Sequence, residues 1–266
     1  MSVNPTYFPA GTKEPVLTLT RPTPKLWVIE LHNGVDNVLA LTFINDAIRP
    51  ALDVVEDEWK KSLKAAKAKG KSVGPDEGKG ALIIIGKRNQ NKFFSNGLDF
   101  AHAVRDPVPF FIVPTVAAIN GHCFAGGMIL ALCCDYRVMT DGGKRNAWIC
   151  MNEIHLGSSW PLSFVSTLRV KVGDANLHRK IALEGHKFTP QEALVAGLVD
   201  RIVPGDSAEA VFHEARELAE SVDSLAKGGA WGLIKVDLYR DAISTFDLPS
   251  RPAPEPEAAA SVKTRL

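Results

Sequence analysis

Two hydrophobic periods organise this chain. Val16–Thr20 and Leu26–Leu31 are short β-rich runs around Arg21-Pro22-Thr23-Pro24 and predict a hairpin. After Thr42, read as a helix cap, Phe43, Ile44, Ala47, Ile48, Leu52, Val55 and Trp59 recur at helical spacing. They predict an amphipathic helix to about Lys69, weakened at Pro50. Ala81-Leu82-Ile83-Ile84-Ile85 shows no alternation, which predicts a strand buried on both faces and therefore parallel. Thr115–Ile119, Tyr136–Met139 and Leu198–Val203 are further strands. Helical patterns cover Gly126–Cys134, Pro161–Val170, Ala175–Glu184, Pro190–Ala196, Asp206–Ser221 and Leu225–Arg240. Strands alternating with helices specify an α/β fold with βαβ crossovers. Beyond Pro249, the prolines at 252, 254 and 256 predict a disordered tail.

Composition narrows the class. Apolar residues make up 45 % of the 266, charged residues 23 %, and the net charge is +1, as in a folded globular protein. The neutral balance argues against nucleic acid as a partner. No run of eighteen apolar residues could span a membrane, and the first fifteen residues match neither a secretory signal nor a presequence. Cys123, Cys133, Cys134 and Cys150 form no CxxC and lie at no zinc spacing, so four buried, reduced thiols and no metal are expected.

Two glycine-containing turns carry the candidate chemistry. Phe93-Phe94-Ser95-Asn96-Gly97-Leu98-Asp99 follows one apolar strand. Asn120-Gly121-His122-Cys123-Phe124-Ala125-Gly126-Gly127 follows another and opens an apolar helix. Such turns lie where α/β sheets collect ligands. One backbone N–H from each would form an oxyanion hole, although either turn alone is equally a plain loop. GxGxxG and GxxxxGK[ST] are absent. His122 and His155 lack a nucleophile context and read as packing or loop residues. Asp135 reads as a turn-amide acceptor. Lys87, Arg88 and Lys92 read either as a solvated run or as phosphate contacts.

The segments KGALIIIGKRNQNKFFSNGLDF, VPTVAAINGHCFAGGMILALCCDYRVM, NEIHLGSSWP and TPQEALVAGLVDRIV, in this order, resemble the crotonase (enoyl-CoA hydratase/isomerase) superfamily over about residues 15–240. The resemblance implies an α/β, crotonase-like (ClpP/crotonase) fold of repeated ββα units. It implies a core over 1–200 and a C-terminal helical trimerisation region over 201–245, with a tail over 246–266. It implies an acyl-CoA thioester ligand, a homotrimer or hexamer, and no cofactor beyond the CoA of the substrate. It places the oxyanion-hole donors on Leu98 and Gly126, with Ser95, Asn96, Gly97 and Asp99 beside them as substrate-binding residues.

The family's two hydratase glutamate positions fall here on Ile129 and Glu153, and NEIHLG resembles the Δ3,Δ2-enoyl-CoA isomerases. The resemblance therefore implies one acid/base, Glu153, shuttling a proton from C2 to C4, with Trp148, Ile154, Trp160 and Phe164 as candidate apolar walls. The family's connection between the two turns is longer than Phe100–Val113 is here. That keeps open a catalytically weak acyl-CoA-binding homologue or another family enzyme: an enoyl-CoA hydratase, a dienoyl-CoA isomerase or a thioester hydrolase. Thr264-Arg265-Leu266 resembles a peroxisomal address and predicts an import receptor as partner; without it the expected location is cytoplasmic.

Overall fold

The computed structural model describes residues 4–69, 74–97, 111–246 and 248. Leu98, Asp99, residues 100–110 of the connection, and the tail with Thr264-Arg265-Leu266 lie outside the described residues.

Strands β1 (Thr6–Phe8), β2 (Leu17–Thr23) and β3 (Leu26–Leu31) form an antiparallel meander, so the predicted hairpin is present with an extra N-terminal strand. The next helical run has three parts: α1 (Leu41–Phe43), a π-helical turn (Ile44–Ile48) and α2 (Arg49–Lys69). The N-cap is Ala40 and has no side-chain cap bond, so Thr42 lies inside the first turn and does not cap it. The π-turn directly precedes Pro50, whose ring nitrogen has no hydrogen to donate back along an α-helix.

β4 (Ala81–Gly86), β6 (Thr115–Ile119), β8 (Tyr136–Thr140) and β10 (Arg201–Val203) extend β3 as parallel neighbours, giving the seven-stranded order β1-β2-β3-β4-β6-β8-β10. The run Ala81–Ile85 is buried because both sheet faces are covered. Ala81, Ile83 and Ile85 pack with Val211, Ala215 and Leu218 of α7 (Ala208–Val222), whereas Leu82 and Ile84 face the larger core that contains Val55 and Trp59 of α2.

A second sheet was not legible in the sequence. β5 (Phe93–Ser95), β7 (His122–Phe124) and β9 (Ile149–Cys150) pair in parallel, so parts of the two predicted turns are strands. Two- and three-residue strands carry too little periodicity to be read. α3 (Gly126–Cys133) leaves β7 directly and is buried along its whole length. α4 (Leu162–Lys171), α5 (Ala175–Ala182) and α6 (Pro190–Val195) follow, the last opened by a Thr189–Glu192 capping box. β10, at the start of the region assigned to helices, belongs to the main sheet.

The expected single helix Leu225–Arg240 is divided into a 3-10 turn (Asp223–Ala226), α8 (Ala230–Leu238) and α9 (Arg240–Ile243). Gly229 takes φ +76° between the first two, a left-handed conformation that ends a helix. α8 is inverted in polarity. Its Lys235 is 5 % exposed and binds Asp135 and the Phe111 carbonyl, while Leu233, Ile234 and Leu238 are 64–72 % exposed. No helix among the described residues is long and apolar enough to cross a membrane. All four cysteines are free and buried, and burial pushes the Cys133 and Cys150 thiols up to about 12 and that of Cys134 to about 11.

Candidate active site

The carboxyl ends of β5, β7 and β9 converge on one point. The β5 end is stitched to the loop before α1. Asn96 N–H donates to the Asp36 carbonyl at 2.9 Å, Leu39 N–H to the Gly97 carbonyl at 2.7 Å, and the Ser95 hydroxyl to the Asn37 carbonyl at 2.8 Å. Ser95 is fully buried and also accepts the Gly97 N–H at 3.2 Å, so its hydroxyl is engaged by the scaffold. Asn37 completes the arrangement by donating to the Phe94 carbonyl at 3.1 Å, and it holds φ +49° to do so. The sequence reading missed Asn37. Its one signal was residue type, since Asn tolerates the left-handed region better than most.

Gly97 lies against the start of α3. A Cβ there would come within 2.5 Å of Ala125 Cβ and 3.1 Å of the Gly126 nitrogen, and Gly97 has φ +95°. Ala125 itself sits at φ +52°, ψ −126°, a conformation that L-residues rarely adopt. This strained N-cap was also missed, because nothing in an alanine's identity announces it. As the first residue of α3, Gly126 carries an N–H that the helix cannot use internally, at its positive dipole end. Two of the predicted ligand-facing residues, Gly97 and Gly126, are thus brought together. Leu98, the expected second donor, is outside the described residues but adjoins Gly97 in the sequence.

Glu153 follows β9 after two residues. Ala125 N–H donates to the Cys150 carbonyl at 2.8 Å, and Glu153 lies three residues further on, so its Cα is within about 11 Å of that strand end. It begins a 3-10 turn, Glu153–Leu156, closed by Gly157 at φ +67°. Glu153 is 3 % exposed, and its Oε2 has no hydrogen-bond partner among the described residues. Burial pushes its carboxyl up to about 7, opposed by hydrogen bonds from its own backbone and the Trp160 side chain. Ile129 on α3 is 3 % exposed and carries no polar atom on its side chain.

Of the expected walls, Phe164 is buried and Trp160 is half-buried. Ile154 is 45 % exposed and, with Trp160, Val165, Leu168 and Leu183, lines a cavity of about 520 Å³ beside the turn. Trp148 instead stacks on His122 at 5.2 Å. His122 Nδ1 accepts the Trp148 N–H at 3.2 Å, and burial, then nearby Arg145, lowers the ring's pKa. His155 bonds the Gly185 carbonyl at 3.4 Å. Both histidines are therefore packing and loop residues, as read from the sequence. Asp135 accepts the Thr115 N–H, a backbone amide as predicted, but also pairs with Lys235. Arg88 is held by Glu30 at 2.9 Å and lies over Phe212, so it is not a lone solvated charge.

Residues 110–228 match the family model for enoyl-CoA hydratase/isomerase. The chain is 31 % identical over 191 residues to enoyl-CoA delta isomerase 3 of Arabidopsis thaliana, covering 64 % of this chain and 78 % of that protein. It is 32 % identical over 192 residues to the peroxisomal enoyl-CoA delta isomerase 2 of the same plant, with the same coverage. The chain belongs to the enoyl-CoA hydratase/isomerase (crotonase) family. The crystal structure of an enoyl-CoA hydratase from Mycobacterium ulcerans shares the fold. Its TM-score is 0.66 at 23 % identity, over 87 % of this chain and 94 % of that one.

Proposed function

We propose that the chain is a Δ3,Δ2-enoyl-CoA isomerase that converts 3-enoyl-CoA to 2-trans-enoyl-CoA in fatty-acid β-oxidation. The observation that carries this reading is one buried carboxylate with an unpartnered oxygen, Glu153, near an α3 whose Ile129 is apolar. Among the described residues Asp223 is buried to the same degree, but Lys25 binds it at 2.8 Å. The thioester oxygen would accept hydrogen bonds from the Gly126 and Leu98 N–H groups. Glu153 would take a proton from C2, giving a dienolate whose charge grows on that oxygen. The same carboxyl would then return the proton at C4, leaving the double bond between C2 and C3. A carboxyl with a pKa of about 7 is matched to both steps at neutral pH. Fixed N–H donors are each worth about 3–4 kcal/mol to such an oxyanion. Apolar Ile129 offers no base to activate water, which disfavours hydration.

The test is turnover of 3-enoyl-CoA and 2-enoyl-CoA side by side. Isomerisation without comparable hydration is expected, and hydration at a similar rate would overturn the reading. Two further features belong to it. The aliphatic face of α8 supports assembly with further copies as a trimer, so sedimentation at micromolar concentration should show no monomer-only state. Two matched relatives are named peroxisomal and others mitochondrial, and a fluorescent fusion of the whole chain is expected to co-localise with a peroxisomal marker.

A further inference from the structure

We infer that His122 is a positioning residue for β9: its neutral ring supplies, at Nδ1, the acceptor that holds the Trp148 N–H, and protonation of the ring releases this rung. This deepens the isomerase reading, and rests on it for the effect on Glu153 though not for the rung itself.

β9 is two residues long, Ile149–Cys150, so few backbone bonds fix it. From β7 and the residue after it, Cys123 N–H donates to the Trp148 carbonyl at 2.9 Å and Ala125 N–H to the Cys150 carbonyl at 2.8 Å. Ile149 and Phe188 exchange N–H···O bonds at 3.1 and 3.0 Å. The Trp148 N–H, one step before the strand, is taken by a side chain: His122 Nδ1 accepts it at 3.2 Å. His122 is itself anchored, since its own backbone N–H donates to the Lys92 carbonyl at 2.8 Å. The imidazole thus adds a rung to the β7–β9 ladder ahead of its first residue. A ring nitrogen that accepts from an amide carries no hydrogen, so the proton of the neutral ring lies on Nε2. Glu153 lies five residues after Trp148, on the chain that this ladder delivers.

The ring has little freedom to turn away. His122 and Phe124 alternate onto one face of β7. The imidazole lies 5.2 Å from the Trp148 ring at 19° and 5.0 Å from the Phe124 ring at 25°, and Phe93 of β5 tilts against it at 5.5 Å. A proton on Nδ1 would therefore set two N–H donors against each other. The charges that bear on the ring are cationic: Arg145 from the loop before β9, Lys92 from the segment before β5, and Lys187 beside Phe188. Asp206 pairs with Arg145 at 3.7 Å. Burial first, then these three cations, lower the ring's pKa. The neighbouring aromatic rings are already engaged by cations, Lys187 Nζ at 5.4 Å from Trp148 and Lys92 Nζ at 5.2 Å from Phe93, so they offer an imidazolium little compensation.

Two substitutions separate the acceptor from the stack. His122→Asn keeps an acceptor, Oδ1, and removes the titration; His122→Phe keeps the stack and removes the acceptor. Labelling with 15N-tryptophan gives five backbone amides, and the one missing from Trp148→Phe is that of Trp148. In the wild type this resonance is expected to move as pH falls from about 7.5 to about 5, across the usual histidine value. In His122→Asn it should stay in place, and in His122→Phe it should be displaced at every pH. A resonance that does not move in the wild type, or moves equally in His122→Asn, overturns the inference. Should His122→Phe fail to fold, the first two proteins decide. The unfolded ring takes its proton more readily than the folded one, so wild-type stability relative to His122→Asn should fall as pH drops below about 6.5 and be level above it. A constant difference would overturn the release on protonation. With 3-enoyl-CoA, the ratio of His122→Asn to wild-type kcat is expected to rise roughly five- to tenfold over the same fall in pH, the scale of one hydrogen bond, with KM unchanged. Protonation of Glu153 affects both proteins alike and cancels in the ratio. A constant ratio would overturn the positioning of Glu153. If the protein does not isomerise 3-enoyl-CoA at all, the spectra still decide the rung.

Discussion

Asp135 and Glu153 are both carboxylates withdrawn from water, and the fold treats them in opposite ways. Asp135 Oδ2 accepts from the Thr115 N–H, the Thr115 hydroxyl and Lys235 Nζ, each at 2.9 Å. Lys235 in turn donates to the Phe111 carbonyl at 2.6 Å, and Gly232 one turn earlier packs its backbone on Ile112. The pair therefore fastens α8 to the start of β6 and to the point where the connection re-enters the described structure. Glu153 is buried with its Oε2 left without a partner among the described residues. A buried carboxylate saturated with donors is a structural joint. One left partly unsatisfied stores a desolvation cost that a proton can relieve, as the proposed proton-carrying role of Glu153 requires.

The largest expected effect comes from removing the carboxylate proposed to carry the proton. Glu153→Gln should lower kcat for 3-enoyl-CoA by about 10²–10⁴, the usual worth of a positioned acid/base. KM should change little, because backbone N–H groups hold the thioester. A variant with near-full activity would show that the proton moves elsewhere. The complementary change is Asp135→Ala, which leaves Lys235 buried without its anion. It should cost about 3–5 kcal/mol in urea unfolding. Replacing both partners, as Asp135→Leu with Lys235→Met, should recover much of that loss. If the single variant unfolds like wild type, the pair is not the joint described.

Next in size is the pH dependence of stability. Glu153 binds its proton more tightly folded than unfolded, since its carboxyl rises from 4.5 to about 7. Between these values the native state holds more protons, so stability falls as pH rises, by about 3 kcal/mol in all, and is recovered as pH drops towards 4.5. Subtracting the Glu153→Gln curve from the wild-type curve isolates this component. A flat difference would mean that the carboxylate is better solvated than its burial indicates. The smallest effect concerns the break that sets α8 in place. Gly229→Ala places a Cβ at φ +76° and 3.2 Å from Leu63, and should cost about 1–2 kcal/mol by thermal unfolding without altering kcat.

The strands of the main sheet were legible because burial on both faces writes itself as an unbroken apolar run, as in Ala81–Ile85. The second sheet was not, because β9 is two residues long and is defined by its partners, Cys123, Phe124 and Phe188. Trp160 was named only as one of four candidate walls.

The sequence by itself determined which residue types the site has available: a glutamate, no carboxylate at position 129, and glycines at 97 and 126. Those are properties of single residues and of order along the chain. The tertiary structure decided which carboxylate is buried with an oxygen left open. A carboxylate's pKa and its free lone pairs depend on how many donors other segments deliver and how much water they exclude. Asp135 meets Lys235 from one hundred residues away, whereas Glu153 is enclosed and left with an open oxygen.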